Sequence, residues 1–530
     1  MTTRQKSDDR VVPDGTRKDA GSPAPSGLGG GKAVAVNQQV GQLQLPFATA
    51  DVPPALAGGP VSSAGGGRPP PVLAAEPKAK VKEEGARPAT MEGVVAGLDA
   101  AFEKVASNRG APGPDRQTVS YVREHWDAIW PKLRRSLLDG SYVPGDIRRV
   151  WIPKGGGGQR GLGIPNVVDR VVQEATRAVL EPLWEPTFHP SSHGFRPERS
   201  CHTALAEARR NVEEGYEWVV DMDLEKFFDR VHHQRLMARV ATRVQDRDLL
   251  VLLGRMLKAQ VVLPDGVRVQ AEEGVPQGGP LSPLLSNIVL DELDSELARR
   301  GLRFVRYADD CNIFVRSERA GQRVMASIVG FIEKRLRLRV NAAKSAVARP
   351  EERHFLGFRL RVNSETEEVE TLLSKRSKER VNAGIRERTP RSWGDTLDAC
   401  IRSLNVYLNG WFGFFGVCDG EERTMQTLDA HIRRRLRAIQ LTHWKRGPTI
   451  VRNLIARGIK RKTAWATVYE GDRRTWDLSH RPAVDRALDK AFFANLHLAS
   501  LGKLWDARHR PRAIEALLGQ LPLFGGWRRS

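Results

Sequence analysis

Two short runs of strand-forming residues, Phe304-Val305-Arg306 and Ile313-Phe314-Val315, flank the tetrapeptide Tyr307-Ala308-Asp309-Asp310. The pattern predicts a β-hairpin carrying two adjacent carboxylates at or near its tip. Side-by-side negative charges are unfavourable unless a cation neutralises them. A divalent metal is the natural partner, because hard Mg2+ prefers carboxylate oxygens and keeps coordination positions open for phosphate. Taken alone, the same four residues also read as an acidic turn facing solvent.

Upstream, Trp218-Val219-Val220-Asp221-Met222-Asp223-Leu224-Glu225-Lys226-Phe227-Phe228-Asp229 reads as an apolar strand running into an Asp-x-Asp pair. It offers a third carboxylate. Side chains two apart on a strand share a face, so geometry alone does not choose between Asp221 and Asp223. Three carboxylates from two strands suit two Mg2+ ions, one activating an attacking hydroxyl and the other stabilising a leaving pyrophosphate. The competing reading is an acidic helix start, with Asp223 as N-cap and Asp229 exposed.

Charge and length narrow the class. The chain has 530 residues, enough for three or four structural units, and a formal net charge of +21. Such a field attracts polyanions, so nucleic acid is the expected partner and a membrane surface a weaker one. No apolar stretch is long enough to span a bilayer, and no signal-peptide core or targeting segment is visible. Cys201, Cys311, Cys400 and Cys418 are scattered without a C-x-x-C pair, which argues against a zinc site or disulfide framework and fits a reducing cytosol.

Residues 1–88 are rich in Gly, Pro, Ala and Ser, with Phe47 their only aromatic. Such a segment buries too little apolar surface to offset its conformational entropy, and disorder is expected, with Gln39 to Phe47 as its one docking patch. Beyond Met91 the periodicity predicts helices over 167–184, along the Leu281, Leu285, Val289, Leu293, Leu297 ridge, and over 322–336. Strands are predicted at 149–152, 217–222, 337–340 and 355–362, besides the Asp-Asp hairpin. Strands and helices alternate without a regular βαβ rhythm, which implies an α+β architecture. From about Ser374 the chain reads as helical and basic. Residues 431–476 hold thirteen Lys or Arg against Glu470 and Asp472.

Tyr307-Ala308-Asp309-Asp310, the Asp223-Leu-Glu-Lys-Phe-Phe segment and Gly274-Val-Pro-Gln-Gly-Gly-Pro-Leu-Ser-Pro283 together resemble a reverse transcriptase. More closely, the chain resembles the group II intron-encoded reverse transcriptase/maturases of bacteria. Asn108-Arg-Gly-Ala-Pro-Gly-Pro-Asp115, Ile152-Pro-Lys154 through Arg160-Gly-Leu-Gly-Ile-Pro165, Asp169-Arg-Val-Val-Gln173 and Ser192-His-Gly-Phe-Arg-Pro197 support this. Asn341-Ala-Ala-Lys344 and Phe355-Leu-Gly-Phe358 follow in the family's order, so that the blocks cover roughly residues 91 to 360.

The resemblance implies a right-hand polymerase: fingers, an antiparallel-sheet palm, and a helical thumb or maturase domain. Its divisions are a 1–88 extension, 89–200 for the N-terminal element and fingers, and 201–365 for the palm with remaining fingers. Residues 366–480 form the thumb/maturase domain and 481–530 a basic, DNA-binding C-terminal region. Asp223, Asp309 and Asp310 match the catalytic metal-binding triad for two Mg2+ ions, with Mn2+ as a substitute. Asp223 is preferred because it heads the D-x-x-x-F-F pattern, and Asp310 contributes less direct coordination than Asp309, since consecutive strand side chains point opposite ways.

Phe228 matches the ring that crowds the sugar 2′ carbon and so favours deoxynucleoside triphosphates. Lys154 and Arg160, flanking Gly155 to Gly158, match triphosphate contacts. Gln277 matches a contact to the incoming sugar, with Gly278 and Gly279 letting backbone approach the substrate. Lys344 matches a lysine that protonates pyrophosphate. Gly161 departs from the family's common proline. Cys311 reads as a small core residue.

Leu404-Asn-Val-Tyr-Leu-Asn-Gly-Trp411-Phe-Gly-Phe-Phe415 resembles the start of the maturase domain, with its aromatics serving equally as helix core. Arg433, Arg434, Arg437, Trp444, Lys445 and Arg446 are the RNA-binding candidates, with Trp444 or Trp465 available for stacking. Family members often end in a zinc-bearing nuclease domain; no His/Cys cluster follows Cys418, so that endonuclease is expected to be absent. The implied function is RNA-directed DNA polymerisation with splicing and retrohoming of a group II intron RNA by target-primed reverse transcription, in a bacterial cytoplasm or nucleoid. A domesticated enzyme of phage defence or spacer acquisition, and a splicing cofactor without polymerase activity, are the alternatives.

Overall fold

The computed structural model describes residues 88–153, 158–470 and 474–520, with side chains described up to residue 510. The extension through residue 87, its Gln39 to Phe47 patch, Lys154 and residues 521–530 lie outside the described residues. Among those described, β1 (Ile147–Pro153), β2 (Gln159–Ile164), β3 (Trp218–Met222), β4 (Val261–Val262), β5 (Arg268–Val269), β6 (Arg303–Tyr307), β7 (Asp310–Val315), β8 (Ala346–Ala348), β9 (Phe358–Val362) and β10 (Val369–Leu373) form three sheets. Their orders are β2-β1-β4-β5, β6-β7-β3-β8 and β9-β10.

The second of these sheets is antiparallel throughout, with Tyr307 opposite Asp310 and Met222 opposite Cys311. Alternation along its strands sends side chains into two different cores. Val220, Met222, Phe304, Cys311 and Ile313 pack with the helices Val167–Trp184 and Ser282–Arg299. Val219, Val305 and Phe314 pack with the helix Cys201–Glu213, the β9–β10 hairpin and the helices Leu397–Phe415 and Glu422–Trp444. The sheet is therefore covered on both faces, which explains why its strands read as near-continuous apolar runs.

The predicted helix over 167–184 is observed as Val167–Trp184, and the leucine ridge as Ser282–Arg299. The helix predicted from Gln322 begins earlier, at Glu318, because the Ser317 hydroxyl caps it by accepting from the Ala320 amide at 3.3 Å. Its last turn, Ile332–Leu336, widens into a π turn that ends on Arg337 at φ 60°.

Two expected strands are corrected. Residues 337–340 form an irregular connection, bridged to Leu224 only through Val340, because they follow the loop around Asp223 instead of a sheet edge. The strand expected from Phe355 starts at Phe358, because Leu356 and Gly357 turn left-handed and let the Phe355 amide donate to the Phe358 carbonyl.

Beyond Ser374 every assigned element is a helix among the described residues. Trp411 and Phe412 are buried, and Phe414 and Phe415 stand 5.6 and 5.2 Å from Phe358, so these aromatics are helix core. Val484, Leu488, Phe493, Leu501 and Trp505 join the same core as the Glu422–Trp444 helix. No helix of the described residues is long and apolar enough to cross a membrane.

Coverage of both sheet faces predicts equal sensitivity on either side. Phe314→Ala is expected to cost about 3–5 kcal/mol and Ile313→Ala about 2–5 kcal/mol in urea denaturation. A Phe314→Ala cost under about 0.5 kcal/mol, typical of surface positions, would contradict the two-sided core.

Candidate active site

The β6–β7 register leaves Ala308 and Asp309 as a two-residue loop, with Ala308 at φ 57°. A non-glycine residue persists in this region only where its surroundings hold it. The holder is Arg306. Alternation along β6 turns Arg306, like Phe304, toward the Ser282–Arg299 helix, where it is completely buried. Its Nε donates to Asp294 at 2.7 Å, and its Nη2 donates to Asp294 at 2.5 Å and to the Ser192 hydroxyl at 2.7 Å. Its Nη1 donates to Asn287 Oδ1 at 3.0 Å and to the Ala308 carbonyl at 2.8 Å.

The Ser192-His-Gly-Phe-Arg-Pro block, met above only as a family signature, closes over this tip. A Cβ on Gly194 would come within 2.2 Å of the Ala308 nitrogen, so only glycine lets the two backbones lie together. The Asn287 amide donates to the Gly194 carbonyl at 2.8 Å. Buried His193 ties the block to the Cys201–Glu213 helix, with Nδ1 at 2.9 Å from the Thr203 hydroxyl and Nε2 at 2.7 Å from Glu207.

Asp223 follows β3, and the Asn341–Ser345 turn wraps around it. The Asp223 amide donates to the Ser345 hydroxyl at 3.0 Å, the Asn341 amide to the Asp223 carbonyl at 2.8 Å, and Lys344 Nζ lies 3.4 Å from the Asp223 carboxylate. Asp221 is differently employed. Arg353, which no sequence pattern singles out, donates to its Oδ2 from Nε at 2.8 Å and from Nη2 at 2.6 Å. The same Nη2 reaches the Lys344 carbonyl at 2.6 Å. The Asp221–Arg353 pair thereby anchors the turn that brings Lys344 to Asp223.

Burial raises the carboxyl of Asp309 above the usual range, with Asp223 adding to the effect and Arg160 and Arg306 opposing it. Asp310 has a solvent-exposed edge, yet the surrounding protein and then the repulsion of Asp309, Asp221 and Asp223 push it up to about 7. Among the described residues no three His, Cys, Asp or Glu side chains are gathered closely enough to hold a metal. The donor chemistry nevertheless fits a hard divalent cation: all-oxygen ligands whose mutual repulsion only a cation removes.

Phe228 is half-buried and stands edge-on to buried Phe227 at 5.3 Å. Its carbonyl accepts from the Val275 amide at 2.6 Å, which ties it to the segment bearing Gln277. The glycines of that segment differ from expectation in what approaches them. A Cβ on Gly278 would meet the Gly163 carbonyl at 2.5 Å, and one on Gly279 the Gln173 side chain at 2.3 Å, so here they serve protein contacts. The Gln277 carbonyl accepts from the Gly163 amide at 2.7 Å, joining this turn to β2 and hence to exposed Arg160. Cys311 is buried and its thiol pushed well up by burial, in keeping with a core role.

The basic candidates divide. Arg437 is buried, donating to the Leu488 carbonyl at 2.9 Å and pairing with Asp485, so packing takes up the side chain that the sequence offered to RNA. Arg434 lies over Trp476 at 4.1 Å and half-buried Trp444 under Arg457 at 5.1 Å. Arg433 is half-buried, whereas Lys445 and Arg446 are exposed.

The two ion pairs should behave differently on truncation. Arg306→Ala leaves Asp294 buried and uncompensated and is expected to cost about 3–5 kcal/mol in urea denaturation. Arg353→Ala, with its pair partly solvated, is expected to cost about 1 kcal/mol. Equal small losses would contradict the role given to Arg306.

Residues 152–360 match the family model described as reverse transcriptase (RNA-dependent DNA polymerase), and residues 378–458 the group II intron, maturase-specific domain. Protein YkfC of Escherichia coli (strain K12) is 36% identical over 295 residues, which are 48% of this chain and 77% of that protein. The group II intron-encoded protein LtrA of Lactococcus lactis subsp. cremoris is 41% identical over 211 residues, covering 39% of this chain and 34% of LtrA. The match thus spans about a third of LtrA's length. A chain of the solved partial Cas6-RT-Cas1--Cas2 complex is 24% identical with a TM-score of 0.30, over 46% of this chain and 42% of that one, too distant to bear on function.

Proposed function

Because this chain belongs to the family of group II intron-encoded reverse transcriptase/maturases, we propose that it copies RNA into DNA and binds its intron RNA to promote splicing and retrohoming. The observation that carries the polymerase reading is the meeting of two carboxylate-bearing segments at one end of an antiparallel sheet, Asp223 after β3 and Asp309–Asp310 at the β6–β7 turn. Asp223, Asp309 and Asp310 would hold two Mg2+ ions, or Mn2+ in their place, and the metal would supply activation of the primer hydroxyl and charge neutralisation for departing pyrophosphate.

The remaining roles belong to the chain. Lys344, 3.4 Å from Asp223, is the proton donor to the leaving pyrophosphate oxygen. Arg160, whose charge acts on Asp309 and Asp310, steadies the triphosphate together with Lys154. Phe228, held from its backbone by Val275, crowds the sugar 2′ position, and Gln277 orients the sugar. Arg433, Arg434, Lys445, Arg446 and Trp444 belong to the RNA-holding face, where Arg437 acts by supporting its helix. The partners on this reading are a group II intron RNA, a DNA primer or target and deoxynucleoside triphosphates, which meet in a bacterial cytoplasm or nucleoid.

Primer extension on an RNA template with Mg2+ tests the assignment. Asp309→Ala is expected to lower the rate by more than about a hundredfold while intron RNA binding and splicing persist. Full extension by Asp309→Ala would remove the catalytic assignment.

A further inference from the structure

The helix Arg461–Tyr469 lies beyond the residues matched to the maturase-specific domain and presents an unusual face. Ala464, Thr467 and Val468 are buried and fasten it to the second core. Four-residue spacing puts exposed Arg461, exposed Trp465 and half-buried Tyr469 on one ridge. The Trp465 and Tyr469 rings stack at 4.8 Å with 20° between their planes, and Trp465 keeps 44% of its surface in water. Other tryptophans of this basic region are covered by cations, Trp444 by Arg457 and Trp476 by Arg391 and Arg434. Arg461, Lys462, Trp465, Ala466, Tyr469 and Glu470 line an open basin of about 630 Å³.

Tyr469 is backed from behind. A Cβ on Gly447 would come within 2.8 Å of its hydroxyl, so its ring edge lies against the start of the helix Gly447–Ala456. Immediately before that helix, Lys445 at φ 60° turns the chain and leaves both Lys445 and Arg446 exposed. An aromatic platform therefore stands between two pairs of cations, Arg461 with Lys462 and Lys445 with Arg446. Glu470 is the one carboxylate among the basin's lining residues.

We propose that this face docks an unpaired RNA segment, one base stacking on the Trp465 indole while phosphates on either side meet the two cation pairs. The inference rests on the reading of this chain as an RNA-binding protein. Stacking needs a base whose face is uncovered, which a duplex does not offer, and every base has such a face. Paired cations at both ends suit a backbone that carries one charge per nucleotide. A lipid surface calls instead for a broad apolar face, and this platform is two rings wide.

The test uses the full chain and an unstructured, labelled RNA oligonucleotide carrying iodouridine. Anisotropy titrations are expected to show binding weakened about tenfold in Trp465→Ala and nearly restored in Trp465→Phe. Arg461→Ala with Lys462→Ala is expected to lower the slope of log affinity against log salt by about 1–2. Photo-crosslinking is expected to mark Trp465. Unchanged binding in Trp465→Ala, crosslinks confined to other residues, duplex RNA competing as well as the single strand, or tighter binding of single-stranded DNA would each overturn the platform. A wild-type chain that binds no RNA would overturn the RNA-binding reading itself, and this inference with it.

Discussion

Arg306 and Asp294 form an ion pair with no solvent access to either side chain. Burying two charges is costly unless every donor is used, and here all five N–H donors of the guanidinium are used. One of them holds the Ala308 carbonyl, in the loop that also carries Asp309. Others hold Ser192, two residues before the glycine that lies against the tip, and Asn287, which also holds that glycine's carbonyl. The positive charge moderates the raised Asp309 carboxyl as well. A single buried cation thus ties the hairpin, the Ser282–Arg299 helix and the Ser192–Gly194 segment into one unit, and the placement of the acidic tip follows from it.

Much of this architecture is written locally in the chain. The hairpin is legible because its strands are short and apolar on both sides of an acidic turn, and the helices Val167–Trp184 and Ser282–Arg299 because their apolar spacing repeats. Arg306 and Arg353 were illegible for a different reason. Arg353 meets Asp221 across 132 residues, and Arg306 joins Asp294, 12 residues back, to Ser192, 114 residues back; no periodicity encodes such contacts between polar residues. Residues 337–340 mislead because alternating apolar and basic residues mimic a strand, whereas the segment's work is to deliver Asn341 and Lys344 to Asp223. Sequence alone does not show that Gly278 and Gly279 of the Gln277 turn lie against Gly163 and Gln173.

The second core shows the same division. A count of arginines says that the region is basic without saying which guanidinium faces water. Arg437 is buried beneath Leu488 and Arg434 is laid on Trp476, whereas Lys445, Arg446, Arg461 and Lys462 are among the exposed cations. Arginines bound up in packing keep their stems in the core and stiffen the helices, while Lys445 and Arg446 before the helix Gly447–Ala456, and Arg461 and Lys462 at the start of the helix Arg461–Tyr469, carry accessible charge. Trp465 belongs with these accessible groups, whereas Trp444 and Trp476 are half-buried with an arginine over each ring.

We propose that Asp223, Asp309 and Asp310 hold the metal while Asp221, committed to Arg353, does not. Electron paramagnetic resonance of Mn2+ titrated into the protein with primer, RNA template and deoxynucleoside triphosphate tests it most directly. The account predicts that Asp223→Asn and Asp309→Asn each lose the protein-bound Mn2+ signal and that Asp221→Asn keeps it. Retention of that signal in Asp223→Asn and Asp309→Asn, with loss in Asp221→Asn, would contradict it.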